Sequence, residues 1–262
     1  MNLPTAPDAT PPITQHSSTD DHTVIRVENV SVRYRVPKEQ IRTFKEYAIR
    51  RIQGRVQYNE FLALNNVSLR VNKGEVFGLI GVNGAGKTTL LRLMARIMRP
   101  SQGWVEVIGR VAPLLSMGAG FHNELTGKEN VYLNGAILGF SREEMNEKFE
   151  RIVDFAKLWE FIDAPLRTYA TGMVARLGFS VATDSMPDIL IVDEVLSVGD
   201  TAFQEKSLAR IRSFQENGST ILLVTHLMET ILDMCQRAAW LDQGEIRAIG
   251  QAKDVVNLYL HP

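Results

Sequence analysis

A five-residue run without a polar side chain, Val76-Phe77-Gly78-Leu79-Ile80, opens onto Gly81-Val82-Asn83-Gly84-Ala85-Gly86-Lys87-Thr88-Thr89. This junction constrains the fold more than any other part of the chain. The run reads as a strand buried on both faces. The spacing behind it is G-x-x-x-x-G-K-[ST], a phosphate-binding loop in the strand–loop–helix context that it requires. Glycines let successive backbone N–H groups turn inward around a β-phosphate, and Gly81, Asn83, Gly84, Ala85 and Gly86 supply that backbone. Lys87 brings a cation to the β- and γ-oxygens, and the Thr88 hydroxyl can ligate Mg²⁺. Thr89 completes the nucleotide-contacting set, and the helix N-terminus adds favourable partial charge. The spacing is not G-x-G-x-x-G, which argues against a dehydrogenase.

A second apolar run, Ile189-Leu190-Ile191-Val192, ends at the carboxylate pair Asp193-Glu194. On a strand expected to neighbour the phosphate-loop strand, Asp193 can hold Mg²⁺ and Glu194 can polarise an attacking water. A third strand pattern, Thr220 to Val224, leads into Thr225-His226. A lone histidine usually decorates a surface or a core. About 33 residues after the carboxylates, His226 instead suits a γ-phosphate sensor that supports Glu194 through a hydrogen bond.

The remaining chain organises around these elements. Of its 262 residues, 29 are Lys or Arg and 30 are Asp or Glu. That balance excludes a bulk polyanion binder, although local basic faces are possible. An apolar fraction of 45% suffices for a buried core. The single cysteine, Cys235, excludes an intramolecular disulfide framework and a multi-cysteine zinc site. No apolar run is long enough to span a membrane, and the N-terminus lacks a secretory signal. Residues 1–22, rich in Pro, Thr, Ser and Asp, read as a disordered tail. Strands are expected from Val24 and again from Phe61 to Val71, with a turn at Asn72-Lys73-Gly74. A helix is expected from Lys87 to Arg99, ended by Pro100. Residues from about 125 to 187 read as mostly helical, with a capping box at Ser141 and Glu144. The chain thus reads as one α/β nucleotide-binding core, 23–262, with a helical insertion.

Phosphate loop, carboxylate pair, the loop Ser197-Val198-Gly199-Asp200 and the histidine, in this order, resemble an ABC transporter ATPase subunit. The resemblance covers residues 24 to 260 and implies a P-loop NTPase core with a mixed sheet, an antiparallel β subdomain and a helical subdomain. Where that family usually carries Leu-Ser-Gly-Gly-Gln, this chain has Tyr169-Ala170-Thr171-Gly172-Met173, followed by Val174-Ala175-Arg176-Leu177. This variant resembles the branch that exports O-antigen, capsule or teichoic-acid polymers on lipid carriers. Gly118-Ala119-Gly120-Phe121 and Glu124-Leu125-Thr126-Gly127-Lys128-Glu129-Asn130 resemble it too.

The resemblance implies a homodimer with ATP at both joints. Each joint would combine the phosphate loop of one copy with the signature residues Thr171, Gly172 and Met173 of the other, and Asp200 is counted with the nucleotide-binding residues. It implies ATP and Mg²⁺ as cofactors, integral membrane permease subunits as partners, and a lipid-linked polysaccharide near the membrane interface. It implies no nucleic-acid partner and a peripheral location at the cytoplasmic face of the cell (inner) membrane. Glu194 and His226 are retained, so ATPase activity is expected. Two departures stand out. Ala170 lacks the hydroxyl of the usual serine, unless Thr171 compensates, and Ser116-Met117 occupies the region of the usual coupling glutamine. With Pro262 as its last residue, the chain is expected to lack the carbohydrate-binding domain some members carry. A soluble ABC-type ATPase of ribosomes or DNA would bring a second cassette or long coiled coils, and a P-loop kinase would lack the signature segment.

Two further readings stay open. Within 38–55, Ile41, Phe44, Ala48 and Ile52 follow helical spacing, with Arg42, Lys45, Arg50, Arg51 and Arg55 around the rest of the helix. This is either a solvated helix capping the sheet or a basic amphipathic helix that meets anionic headgroups at the membrane face. Tyr34 is the candidate for stacking on adenine, or else a core or surface tyrosine.

Overall fold

The computed structural model of the chain describes residues 22–37, 58–114, 120–193 and 199–261. Most of the expected tail, the amphipathic segment 38–55, Ser116-Met117 and Glu194 lie outside the described residues.

Two sheets carry the molecule. The smaller is antiparallel, in the order β2-β1-β4, from β1 (Thr23–Pro37), β2 (Tyr58–Asn72) and β4 (Gln102–Val107). The strand expected from Val24, β1, runs on to Pro37 with a register shift between Val27 and Val30, where Asn29 adopts a left-handed φ of 51°. The larger sheet has the order β5-β6-β7-β3-β8-β9. It consists of β3 (Val76–Ile80), β5 (Val111–Leu114), β6 (Ile189–Asp193), β7 (Thr220–Val224), β8 (Arg237–Asp242) and β9 (Glu245–Gln251). All its pairings are parallel except β8 with β9.

The apolar runs are continuous because each faces two cores. Phe77, Leu79, Ile189, Ile191, Leu222 and Val224 enter the core shared with the small sheet. The alternating partners Val76, Ile80, Leu190, Val192, Ile221 and Leu223 enter a second core on the opposite face. That second core is closed by α5 (Thr201–Glu216), α6 (Met228–Met234) and α7 (Ala252–Leu260), through Phe203, Ile211, Ile231, Val255 and others.

The carboxylate strand is not the neighbour of the phosphate-loop strand, contrary to expectation, because β7 lies between β6 and β3. The helix after the loop, α1 (Lys87–Met94), is also shorter than expected. Arg96 turns left-handed at φ 59°; its N–H bonds to Leu93 O at 3.0 Å, and Ile97 N–H bonds to Arg92 O at 2.9 Å. This pair of bonds is a Schellman closure, which satisfies the last carbonyls and stops the helix without a glycine.

Between β5 and β6, α2 (Gly127–Ile137), α3 (Arg142–Ala156) and α4 (Thr171–Ala182) enclose a third core built on Val131, Met145, Ile152, Leu166 and Leu177. Helix α3 starts with the predicted capping box, Ser141 with Glu144, and α2 starts with another, Thr126 with Glu129. Helix α4 belongs to two cores, because Leu177 and Val181 face the helical cluster while Phe179 faces the large sheet.

Candidate nucleotide-binding site

The loop 81–86 leaves β3 at its C-terminal end and is wedged where the two sheets meet. A Cβ on Gly81 would lie 2.1 Å from Leu241 O of β8, and one on Gly86 would lie 2.6 Å from Ala63 O of β2. Both glycines are also left-handed, with φ of 149° and 107°. Close approach and backbone conformation therefore demand glycine at each. Gly84, at φ 82°, has nothing within 4 Å, so only its backbone conformation matters. The turn between β8 and β9 braces the loop, through a bond from Gly244 N–H to Ala85 O at 2.9 Å.

Gly86 caps α1 without a side chain, and the helix N-terminus at the loop favours an anion there. Lys87 is buried, and its ammonium donates to Gly81 O at 2.8 Å and Val82 O at 3.0 Å. Asn83 and Gly84 are exposed and Thr89 is half-buried.

The Thr88 hydroxyl lies 3.4 Å from Asp193 Oδ2, although 105 residues separate them. The strand order explains this: β6 and β3 flank β7, so their C-terminal ends open on one edge. A hydroxyl beside a carboxylate is a hard-oxygen donor pair of the kind Mg²⁺ takes when phosphates supply other ligands. Among the described residues no group of three His, Cys, Asp or Glu could hold a metal by itself. Val224 of β7 pairs with Asp193, and His226 follows two residues later, exposed on the same edge.

Other predicted residues stand elsewhere. Tyr34 is half-buried against the core shared by the sheets, its hydroxyl 3.6 Å from Met98 Sδ. Thr171 and Gly172 form the first turn of α4, and Met173 packs on the helical cluster. Ala170 precedes them at the capping position with no side-chain bond. Asp200 accepts from Phe203 N–H at 2.8 Å and so caps α5, and its other oxygen lies 3.6 Å from Arg176 Nη1. That ion pair ties the start of α5 to α4. Sequence reading missed it, because nothing in the spacing of Arg176 and Asp200 marks them as partners.

A family profile described as ABC transporter matches residues 64–197. The chain is 50% identical over 200 residues to an O-antigen export system ATP-binding protein, RfbB, of Klebsiella pneumoniae, covering 76% of this chain and 81% of that protein. It is 36% identical over 235 residues to the teichoic acids export ATP-binding protein TagH of Bacillus anthracis, covering 90% of this chain but 42% of that longer protein. An ATP-binding cassette solved as a dimer in a post-hydrolysis state with ADP and phosphate matches with a TM-score of 0.69 at 20% identity, covering 87% of this chain and 98% of that one. At that identity the likeness concerns the fold.

Proposed function

The chain belongs to the ABC transporter family, and we propose that it is the ATP-hydrolysing subunit powering export of a lipid-linked cell-surface polysaccharide across the cytoplasmic membrane. The observation that carries the ATPase part is the meeting of Lys87, Thr88 and Asp193 at one sheet edge. Likeness to O-antigen and teichoic-acid export proteins supports the cargo class.

In this reading the amides of 83–88 cradle the phosphates, and Lys87 leaves the loop carbonyls for the β/γ oxygens. Thr88 and Asp193 would hold Mg²⁺, which spreads the charge on the transferring phosphoryl group. Glu194 polarises the attacking water and His226 senses the γ-phosphate. A second copy presents Thr171-Gly172-Met173 and the start of α4 to that phosphate, and Asp200 lies at the same joint. ATP therefore bridges two copies, and loss of the γ-phosphate removes the bridging charge and lets them part. Tyr34, half-buried against the core of the two sheets, is the candidate for the adenine. Among the described residues no helix is long and apolar enough to cross a membrane, so this reading assigns the pore to permease subunits on other chains. The ATPase then sits peripherally on the cytoplasmic face.

The test is a Glu194→Gln variant, trapped with ATP and isolated from native membranes in mild detergent, with mass spectrometry of what accompanies it. A multi-spanning protein with a lipid-linked glycan is the expected result. Recovery as a soluble species, or with ribosomes, would end the transport reading while leaving the ATPase intact.

A further inference from the structure

The last four carbonyls of an α-helix have no partner inside it, and those of α3 are accounted for in an uncommon way. Lys157 turns left-handed at φ 55°, so that its N–H bonds to Asp154 O at 3.2 Å and Leu158 N–H bonds to Val153 O at 3.4 Å. This local closure leaves the carbonyls of Phe155 and Ala156. Neither is satisfied from its own segment. Lys206 of α5 donates to Phe155 O at 3.2 Å. Arg176 of α4 donates to Ala156 O through Nε at 3.0 Å and Nη2 at 2.7 Å.

Beneath these bonds, each of the three helices contributes one ring to an aromatic cluster. Phe155 stacks on Phe179 at 5.9 Å, and both meet Phe203 edge-on at 5.8 Å. The Lys206 ammonium lies 4.0 Å from the centre of Phe155, Arg210 lies 4.5 Å from the same ring, and Arg176 lies 5.3 Å from Phe203. Burial, then the nearby charges of Lys157, Arg210 and Arg176, hold the Lys206 ammonium below its ordinary value, and Asp154 opposes them only in part. Gathering cations this way is unfavourable unless the carbonyls and ring faces stay in place. The cluster thus ties α3, α4 and α5 to one another through their rings, cations and carbonyls.

What these helices carry gives that placement consequence. Helix α4 begins with Thr171-Gly172, and α5 begins at the cap Asp200, which Arg176 also reaches. We infer that Lys206 is a positioning residue: by capping α3 from α5, it sets the start of α5 against the start of α4 in the geometry that hydrolysis requires. The inference rests on the ATPase reading above and adds to it a residue remote from the nucleotide.

The test compares the full chain with Lys206→Met, which keeps the stem over Phe155 and removes the ammonium, and with Lys206→Arg, which restores a donor. Four readouts are needed: ATP turnover against concentration, affinity for a fluorescent ATP analogue, melting temperature, and hydrogen exchange at 155–158 and 200–204. The methionine variant should lose about tenfold in kcat, with faster exchange in both segments. Its nucleotide affinity should stay within about twofold and its melting temperature should change little, since the lost bond to Phe155 O and the relief of a crowded charge oppose each other. Arginine should recover most of kcat. Unchanged kcat, or unchanged exchange, would overturn the inference. A loss of activity that tracks a loss of melting temperature, unrescued by arginine, would reduce Lys206 to a structural part and also overturn it. A wild-type chain that binds the analogue yet hydrolyses no ATP would instead remove the ATPase reading itself.

Discussion

The phosphate loop and the start of α4 are both helix N-termini lacking a side-chain cap, yet they are held in opposite ways. Around the loop, backbone does the holding: Gly81 and Gly86 press against the carbonyls of Leu241 and Ala63, and Gly244 bonds to Ala85. A second loop conformation would have to displace two strands. The start of α4 has Ala170 and Thr171 exposed and Gly172 with nothing within 4 Å of a Cβ. Its placement comes from side chains further along the helix, Arg176 and Phe179, and from the helices they touch. One site is built by close backbone packing within the chain. The other is a projecting end aimed by remote contacts, which suits a surface completed by a second copy.

The comparison can be broken most severely at the loop. Lys87→Ala should lower kcat on the order of 10² to 10³, the usual scale for removing a charge aimed at a transition state; phosphate release in steady state measures it, and a rate near wild type would contradict the role. Gly81→Ala should destabilise by about 2–4 kcal/mol, because its Cβ would meet a carbonyl that cannot withdraw. Gly84→Ala should cost only about 1–2 kcal/mol of backbone strain. Equal urea midpoints for the two would mean that the wedge does not hold the loop.

On the helical side, Asp184 tests how far the support extends. It receives Lys148 at 3.2 Å and Arg151 at 2.7 Å, which ties α3 to the segment after α4. Burial pushes its carboxyl up, but the hydrogen bonds and charges of Arg151 and Lys148 outweigh that and hold it below its ordinary value. Its stabilising share is therefore complete above the unfolded carboxyl value, about pH 4, and is lost as pH falls through the lower folded value. Asp184→Asn should cost about 1.5–3 kcal/mol at neutral pH and flatten the acid limb of the stability profile; an unaltered limb would assign that limb to other carboxylates.

The smallest expected effect is a gain. Ala170→Ser supplies the missing cap of α4, about 1 kcal/mol, and in the proposed dimer would place a hydroxyl beside the γ-phosphate. Dimer fraction with ATP should rise. An unchanged dimer fraction and ATP affinity would sink the idea.

Reading the sequence recovered what is local. The strand ahead of the loop, the capping box at Ser141 and the buried runs at β6 and β7 rest on neighbours within a few residues, and each appears as expected. Misreadings arose where a distant contact or an unmarked backbone conformation intervened. Helix α1 stops at Met94 because Arg96 takes a left-handed turn that no glycine announced.

What the sequence by itself determined is the kind of site: glycines at fixed spacing, a lysine and a threonine behind them, and a carboxylate at the end of a buried strand, all set by short-range stereochemistry. Only the tertiary structure decided that β7 separates the two functional strands, that Thr88 comes within 3.4 Å of Asp193, and that Lys206 and Arg176 finish a helix neither belongs to. Those contacts join residues separated by 20 to 105 positions. Their partners are selected by packing of whole elements, which no local pattern encodes.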